Sequence, residues 1–463
     1  MRRRRKYRLA GRYLAFCAFL VIGSGDIVTA QSQYRVIGYY PMWSRSALPA
    51  VSVRYRYLTH IIHAFAWPNA DGSIAYDEAV VDTSLINETH RQGRKILLSF
   101  GGAGGTQTAN FALVAGDSVL RRHFIENVVS HLAEFRYDGA DIDWEGPVNA
   151  ADRANQVLLM RDLRAAFREA DTTRQLTMAI GVTAWSGQWN DFANLKQYVD
   201  WFNAMTYDFH GSWSAHAGHV APLYAPAFDA NDGSDDLGIK YLNGTRGIPG
   251  GQIALGLPFY GRRWQTAGLF MGFSGVQDIA YADAMGDFGH NWVYTWDTVS
   301  QVPFLVAPSK TQLDTFDDST SLTLKCNYAK SHNLSGVMIW ALGQDLWLGG
   351  QPLMDAVGRA MSPATGVRAQ SPSAVAEGYA LYPNYPNPFN PSTTVRYSLA
   401  RRSPVSLIVY DALGQEVARL VNGVQDAGLH EARFDAAGLA SGVYFCRIRS
   451  GEYVRTTTML LLR

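Results

Sequence analysis

The stretch Tyr137-Asp138-Gly139-Ala140-Asp141-Ile142-Asp143-Trp144-Glu145-Gly146-Pro147 decides how the rest of the chain is read. Four acids, Asp138, Asp141, Asp143 and Glu145, fall within eight residues. Gly139 opens an alternating run and Gly146-Pro147 closes it, which predicts a short strand over residues 139–145. Side chains two apart on a strand share a face. Asp141, Asp143 and Glu145 are therefore expected to point one way, about 6.6 Å apart per step, with Ile142 and Trp144 pointing the other. Like charges packed so closely resist full ionisation, so at least one acid holds its proton near neutral pH. A neutral acid beside ionised carboxylates suits glycoside hydrolysis, where an acid protonates the leaving oxygen. The same acids would also suit a solvated acidic loop or a calcium loop, but the alternating Ile142 and Trp144 favour a half-buried strand.

A chain of 463 residues has room for one large domain and a smaller one. With 17% charged and 47% hydrophobic residues it reads as globular rather than disordered. Arg2 to Arg5, Lys6 and Arg8 precede a short apolar run over residues 13–23, too short to span a bilayer comfortably. Val28-Thr29-Ala30 offers a cut before Gln31, so residues 1–30 are expected to be an export signal. That segment holds seven of the 41 basic and one of the 40 acidic residues, leaving 34 against 39, or −5. This balance carries no nucleic-acid signature, and no stable membrane span is expected. Of the three cysteines, Cys17 leaves with the signal, while Cys326 and Cys446 fall in different expected domains. No disulfide framework is expected despite export. With no HExxH motif or Cys/His cluster, neither a metal site nor a cofactor is read from the sequence.

Eight apolar runs alternate with longer segments: residues 34–40, 60–67, 95–102, 139–145, 175–182, 201–208, 253–261 and 334–342. Helical periodicity marks residues 118–135 and 151–170 between them. Eight β/α alternations predict an α/β fold, the (β/α)8 TIM barrel, with chemistry at the C-terminal ends of the strands. Glu145 would end the fourth strand. Residues 263–320 would form a short, Gly/Asp-rich insertion between strands seven and eight. There Trp292, Tyr294 and Trp296, in the patch 291–296, would either line a cleft or form a local apolar cluster. Residues 362–378 read as a linker. Beyond it, alternating runs beginning at Val395, Val405, Glu416, His430 and Val443 predict a small C-terminal β-sandwich over residues 379–463.

The acidic stretch resembles the DxxDxDxE signature of family 18 glycoside hydrolases, the chitinase family. Ser99-Phe100-Gly101-Gly102 is similar to the family's SxGG motif, and Met205-Thr206-Tyr207-Asp208 to its MxYD motif. Gly38-Tyr39-Tyr40, residues 256–262 and Met338-Ile339-Trp340 follow in family order. The resemblance covers roughly residues 34–350. It implies a monomeric chitinase that cleaves β-1,4 bonds of chitin or N-acetylglucosamine oligomers, retaining configuration, with the substrate's own acetamide as nucleophile.

By that resemblance Glu145 is general acid and base, Asp143 holds the acetamide and the positive intermediate, and Tyr207 donates to the acetamide. Asp141 shares a proton with Asp143, and Asp138 supports the array. Tyr39 and Ser99 back Asp141. Asp208 and Met205 shape the pocket, and Trp340 forms its floor. Tyr260, Arg262 and Trp213 contact neighbouring sugars, and Phe65 and Trp144 complete the binding set. Two positions depart from the pattern. Ala103 stands where many chitinases have a Trp, so that sugar platform is not carried over. Gly146 replaces a Tyr that often follows the acid, which opens space near Glu145. The family also implies alternatives: an endo-β-N-acetylglucosaminidase acting on N-glycans, or a non-catalytic chitin-binding protein.

Residues 382–391 (Tyr-Pro-Asn-Tyr-Pro-Asn-Pro-Phe-Asn-Pro), with Asp411-Ala-Leu-Gly414 and Gly442-Val-Tyr-Phe445, resemble the C-terminal sorting domain of type IX secretion cargo. This implies a Gram-negative host of the Bacteroidetes type, passage through the periplasm, the type IX machinery as partner, and a secreted or cell-surface product. An Ig-like spacer or a sugar-binding module would fit the same strand pattern, though no exposed aromatic row marks sugar binding.

Overall fold

A computed structural model describes residues 34–76, 82–290, 292–362, 379–382, 384, 387 and 389–461. The expected signal at 1–30 and the linker from 363 onward lie outside the described residues, as does Asn291 of the aromatic patch. Eight parallel strands close into a barrel: β1 (Arg35–Pro41), β2 (His60–Pro68), β4 (Lys95–Gly101), β5 (Gly139–Asp143), β6 (Gln175–Ile180), β7 (Trp201–Ala204), β8 (Ile253–Pro258) and β14 (Gly336–Trp340). The short β3 (Ile74–Tyr76) adds antiparallel to β2. Strand β1 pairs with both β2 and β14, which closes the ring. All eight expected strands form, most of them shorter at the C-terminal end than the apolar runs suggested. The residues past each end instead belong to the loops that carry chemistry.

The barrel strands are buried on both faces, which is why they read as near-continuous apolar runs. One parity of each strand fills the interior, with Ile37, Tyr39, Ile62, Leu97, Trp201 and Met338 in one cluster. The other parity packs under the helices. Helix Ser118–Phe135 starts where the Asp117 carboxylate accepts from the Val119 and Leu120 amides, and stops at Arg136 in the left-handed conformation. Helix Ala150–Ala170 is capped the same way by Asn149. Among the described residues no helix is long and apolar enough to cross a membrane.

The segment after β8 is short but fully folded, where its composition had suggested a reduced insertion. Strands β9 (Tyr260–Thr266), β10 (Phe273–Ala280), β11 (Val293–Asp297), β12 (Val302–Val306) and β13 (Gln312–Thr315) form an antiparallel sheet in the order β10-β9-β13-β12-β11. Helix Tyr281–Gly289 bridges two of them. Within the aromatic patch, Trp292 lies under the Arg263 guanidinium, and the Tyr294 hydroxyl donates to Asp318 at 3.0 Å. Both rings pack against the main core rather than forming a local cluster of their own.

The C-terminal strands form two sheets that share an apolar core. β15 (Ala380–Leu381), β16 (Ser392–Leu399) and β19 (Gly428–Asp435) make one. β17 (Ser403–Tyr410), β18 (Glu416–Gln425), β20 (Gly442–Ser450) and β21 (Tyr453–Leu461) make the other. The sandwich is as expected, although the sequence reading had not found β15 or β21. Cys326 and Cys446 are free and buried. The sandwich touches the barrel: Ser319 Oγ donates to the Asn387 carbonyl at 3.0 Å, and Leu460 joins the barrel's outer core.

The barrel is complete by helix Pro352–Met361, so a chain ending at Ser362 is expected to keep its near-UV circular dichroism and cooperative melting. Stripping the cover that Leu460 provides costs about 2 kcal/mol, and roughly 2–4 °C per kcal/mol puts Tm about 4–8 °C lower. Aggregation or loss of the near-UV signal would show that the barrel depends on the sandwich.

Candidate active site

Strand β5 ends level with β4, Gly101 lying opposite Asp143, while on the other side β6 runs two residues past the Met178 that faces Ile142. Strand β5 is therefore two residues shorter than the sequence reading, and Glu145 stands beyond the ladder on the C-terminal rim. Two glycines make that ending possible. A Cβ on Gly101 (φ 130°) would lie 1.9 Å from the Asp143 carbonyl, and one on Gly102 (φ 89°) would strike the Phe65 ring. The Gly102 amide instead donates to the Asp143 carbonyl at 3.0 Å. The SxGG residues thus let two strand ends meet closely.

Asp141 is fully buried and accepts four hydrogen bonds. Tyr39 Oη and Ser99 Oγ donate to Oδ2, each at 2.8 Å. Thr177 Oγ1 at 2.5 Å and Asn203 Nδ2 at 3.1 Å donate to Oδ1. Burial raises its carboxyl above the ordinary range, and these four donors offset that only in part. Asp143 is also buried, but its Oδ1 has no hydrogen-bond partner. Burial, then Glu145, then Asp141, raise its carboxyl well above the ordinary range. Glu145 is exposed at the rim, and lost hydration followed by the Asp208 charge raises its carboxyl too.

Tyr207 is half-buried, and its hydroxyl meets the Met338 sulfur at 3.9 Å. Burial and the surrounding carboxylates, Asp143 foremost, keep that phenol protonated and so a donor. Asp208 takes the left-handed backbone conformation at φ 59°. Its Oδ1 accepts from Tyr260 Oη at 2.6 Å and from Arg262 Nη2 at 2.7 Å. Trp340 stacks on Phe65 with ring centres 5.7 Å apart and meets Tyr39 edge-on at 5.5 Å. The Ala64–Phe65 and Trp340–Ala341 peptides are both cis. A pocket of about 270 Å³ lies between Trp340, Asp208 and Tyr260 on one side and Asp278 to Ala280 of β10 on the other. The insertion therefore walls the cleft. A larger pocket, about 530 Å³, is lined by Leu223, Tyr224 and Tyr328 among others and holds no carboxylate.

The structure brings together Tyr39, Phe65, Ser99, Asp141, Asp143, Tyr207, Asp208, Tyr260 and Trp340. Half-buried Met205 packs with the interior cluster below Trp340. Three expectations are corrected. Trp144 points away from the cleft and stacks on Phe111 at 5.5 Å in the helix-facing core, because even-numbered residues of β5 face outward. Asp138 precedes β5 at the opposite end of the barrel, where it binds Lys95 Nζ at 2.7 Å, His90 Nε2 at 2.9 Å and the Ile96 amide at 2.8 Å. It locks the strand's entry and is about 16 Å of strand from Asp143. The Arg262 guanidinium is buried behind the wall, held by Asp208, Asp278 and the His210 carbonyl. Trp213, 65% exposed, covers it with the ring 4.9 Å away and presents the outward surface.

Thr177 and Asn203 escaped the sequence reading. Their signal was a lone polar residue at an interior position of an apolar strand: Thr177 is in register beside Asp141, and Asn203 lies one strand further on, in register with Ala179. Two exposed tryptophans on strand-end loops were also missed: Trp43, 6.4 Å from Trp340, and Trp185 after β6. The departure at Gly146 has a local cause. A Cβ there would lie 3.0 Å from the Thr108 methyl, so helix Gly105–Gly116 fills the space a side chain would need.

Fold and site together define a (β/α)8-barrel protein of the glycosidase class, with carboxylates at the fourth strand end. Residues 35–345 match the glycosyl hydrolases family 18 profile, and the chain belongs to that family. Residues 384–462 match the secretion system C-terminal sorting domain. A probable endochitinase of Caenorhabditis elegans is 33% identical over 62% of this chain and 51% of its own length. Chitinase A1 of Niallia circulans is 27% identical over 68% and 57%. The chain thus spans about half the length of these curated relatives. The immunomodulatory active chitinase of Trichuris suis superposes with a TM-score of 0.65 at 26% identity, over 71% of this chain and 100% of that one.

A carboxyl raised in the folded state binds its proton more tightly there than in the unfolded chain. Ionising Asp143 therefore works against the fold as pH rises above the ordinary Asp value of 3.8. Asp143→Asn is expected to be more stable than the wild type at pH 8, with the advantage vanishing as pH falls below that value. Urea midpoints across the range measure this, and a variant less stable at pH 8 would contradict a buried, unpartnered carboxyl.

Proposed function

We propose that this chain is an exported chitinase that hydrolyses β-1,4 bonds between N-acetylglucosamine units with retention of configuration. The observation that carries the reading is the graded carboxylate set: Asp141 held by four donors, Asp143 buried and raised, and Glu145 raised at the solvent-facing rim. A raised Glu145 suits a general acid that must arrive protonated and leave as a base. Asp143 and Tyr207 are the groups placed to hold an acetamide curled under the sugar ring, and Asp141 tunes the charge on Asp143. Trp340 offers an aromatic floor, with Asp208, Tyr260 and the Arg262–Trp213 pair as one wall. Trp43 and Trp213 extend aromatic surface outward from that floor.

Export in this reading proceeds in two stages. Residues 1–30 would carry the chain into the periplasm, and the C-terminal sandwich would present it to the type IX machinery for release or surface display. An endo-β-N-acetylglucosaminidase is the competing substrate reading, and a non-catalytic chitin binder is the competing class. Retention of Glu145 supports an enzyme.

Glu145→Gln is expected to bind chitin oligomers nearly as well as the wild type while losing roughly 10²- to 10⁴-fold in kcat. Oligomer cleavage followed beside a high-mannose glycopeptide measures both points. Unchanged kcat in the variant would show the acid misassigned, and preferential cleavage of the glycopeptide would replace chitin as the substrate.

A further inference from the structure

The loop between β7 and helix Asp235–Ile239 carries a cluster that the glycosidase chemistry does not use: His210, His216 and Asp232. His210 Nδ1 lies 2.9 Å from the His219 carbonyl, and His216 Nδ1 lies 3.1 Å from the Ala217 carbonyl. A carbonyl oxygen only accepts, so each Nδ1 carries the ring proton and each neutral ring presents a bare lone pair at Nε2. Both lone pairs face one carboxylate. His210 Nε2 is 2.8 Å from Asp232 Oδ1, and His216 Nε2 is 3.9 Å from Asp232 Oδ2. Asp232 Oδ2 is buried with no hydrogen-bond partner. Three electron-pair donors thus converge, with all ligand atoms within 4.8 Å of one another.

A divalent cation resolves that convergence. Two imidazoles and one carboxylate form a borderline-soft donor set suited to zinc, with a position left for water. The two backbone carbonyls on Nδ1 play the orienting part that zinc-bound histidines require, since they fix the tautomer that frees Nε2. His210 is buried, and Gly218 makes room for it: a Cβ there would lie 2.3 Å from the ring. His216, with its side chain 25% exposed, leaves a path from solvent.

We propose that His210, His216 and Asp232 bind zinc, and that the ion clamps the loop forming one wall of the cleft. The link to that wall is short. The His210 carbonyl accepts from Arg262, which in turn holds Asp208 and lies under Trp213. The sequence reading saw no metal site because the ligand spacings, five and fifteen intervening residues, belong to no zinc motif.

The test uses the full chain without a histidine tag, stripped by chelator and titrated with ZnCl2. Metal analysis after dialysis should give one zinc per chain, and zinc should raise Tm above that of the stripped protein. His216→Ala, a change at a partly exposed position, should bind at least roughly tenfold more weakly while melting like the stripped wild type in chelator. Asp232→Asn, which preserves shape, should lose the zinc response as well. The proposal is overturned if the wild type takes up no zinc, which would make the cluster an imidazolium–carboxylate ion pair. It is equally overturned if both variants titrate like the wild type, or if CaCl2 raises Tm and ZnCl2 does not.

Discussion

The buried Asp141 carboxylate and its four donors are the constraint on which the site depends. Tyr39, Ser99, Thr177 and Asn203 come from β1, β4, β6 and β7, so one side chain ties its own strand to four others, five of the eight in the barrel. An unpaired charge at that depth would cost several kcal/mol, and the donors are what make the acid tolerable. They also act through the fold's own order. Ser99, Asp141 and Thr177 are neighbours in register across three adjacent strands, so closing the barrel assembles the donor set without further adjustment. The four donors offset only part of the effect of burial on Asp141, whose carboxyl stays raised, and Asp143, without such donors, is raised further. That residue is buried and has one oxygen without a partner.

The cleft around this set is built from parts that fold for their own reasons. The insertion after β8 is an antiparallel sheet with an internal core, and its first strand begins with Tyr260 and Arg262 facing Asp208. Asp208 is held by those two residues and by a left-handed backbone turn just beyond β7. Its charge in turn contributes to keeping Glu145 raised. The wall and the acid are thus electrically linked even though they belong to separate layers of the molecule.

Much of this was legible in the sequence, and the exceptions have physical reasons. Eight apolar runs gave the barrel, because strands buried on both faces cannot hide their composition. Parity within residues 139–145 placed Asp141 and Asp143 together and Ile142 outside. The same parity argument puts Trp144 in the helix-facing core, which the structure bears out against its inclusion in the binding set. Asp138 looked like a member of the acidic array because it is near in sequence, yet a strand carries its two ends to opposite faces of a barrel. Thr177 and Asn203 were hidden because a single polar residue in an apolar strand is noticed only once its neighbour across the ladder is known. Arg262 was expected to meet sugars but is buried behind the wall, because its three acceptors lie on segments that come together only in the fold.

The central claim is that the substrate's acetamide, steered by Asp143 and Tyr207, displaces the leaving sugar before water enters. Attack by the acetamide and then by water inverts the anomeric carbon twice. Proton NMR of fresh product from a chitin oligomer tests this most directly. The account predicts the β-anomer first, with the α-anomer growing only by mutarotation. Initial α-anomer would contradict it, because water would then have attacked directly with Asp143 acting as its base.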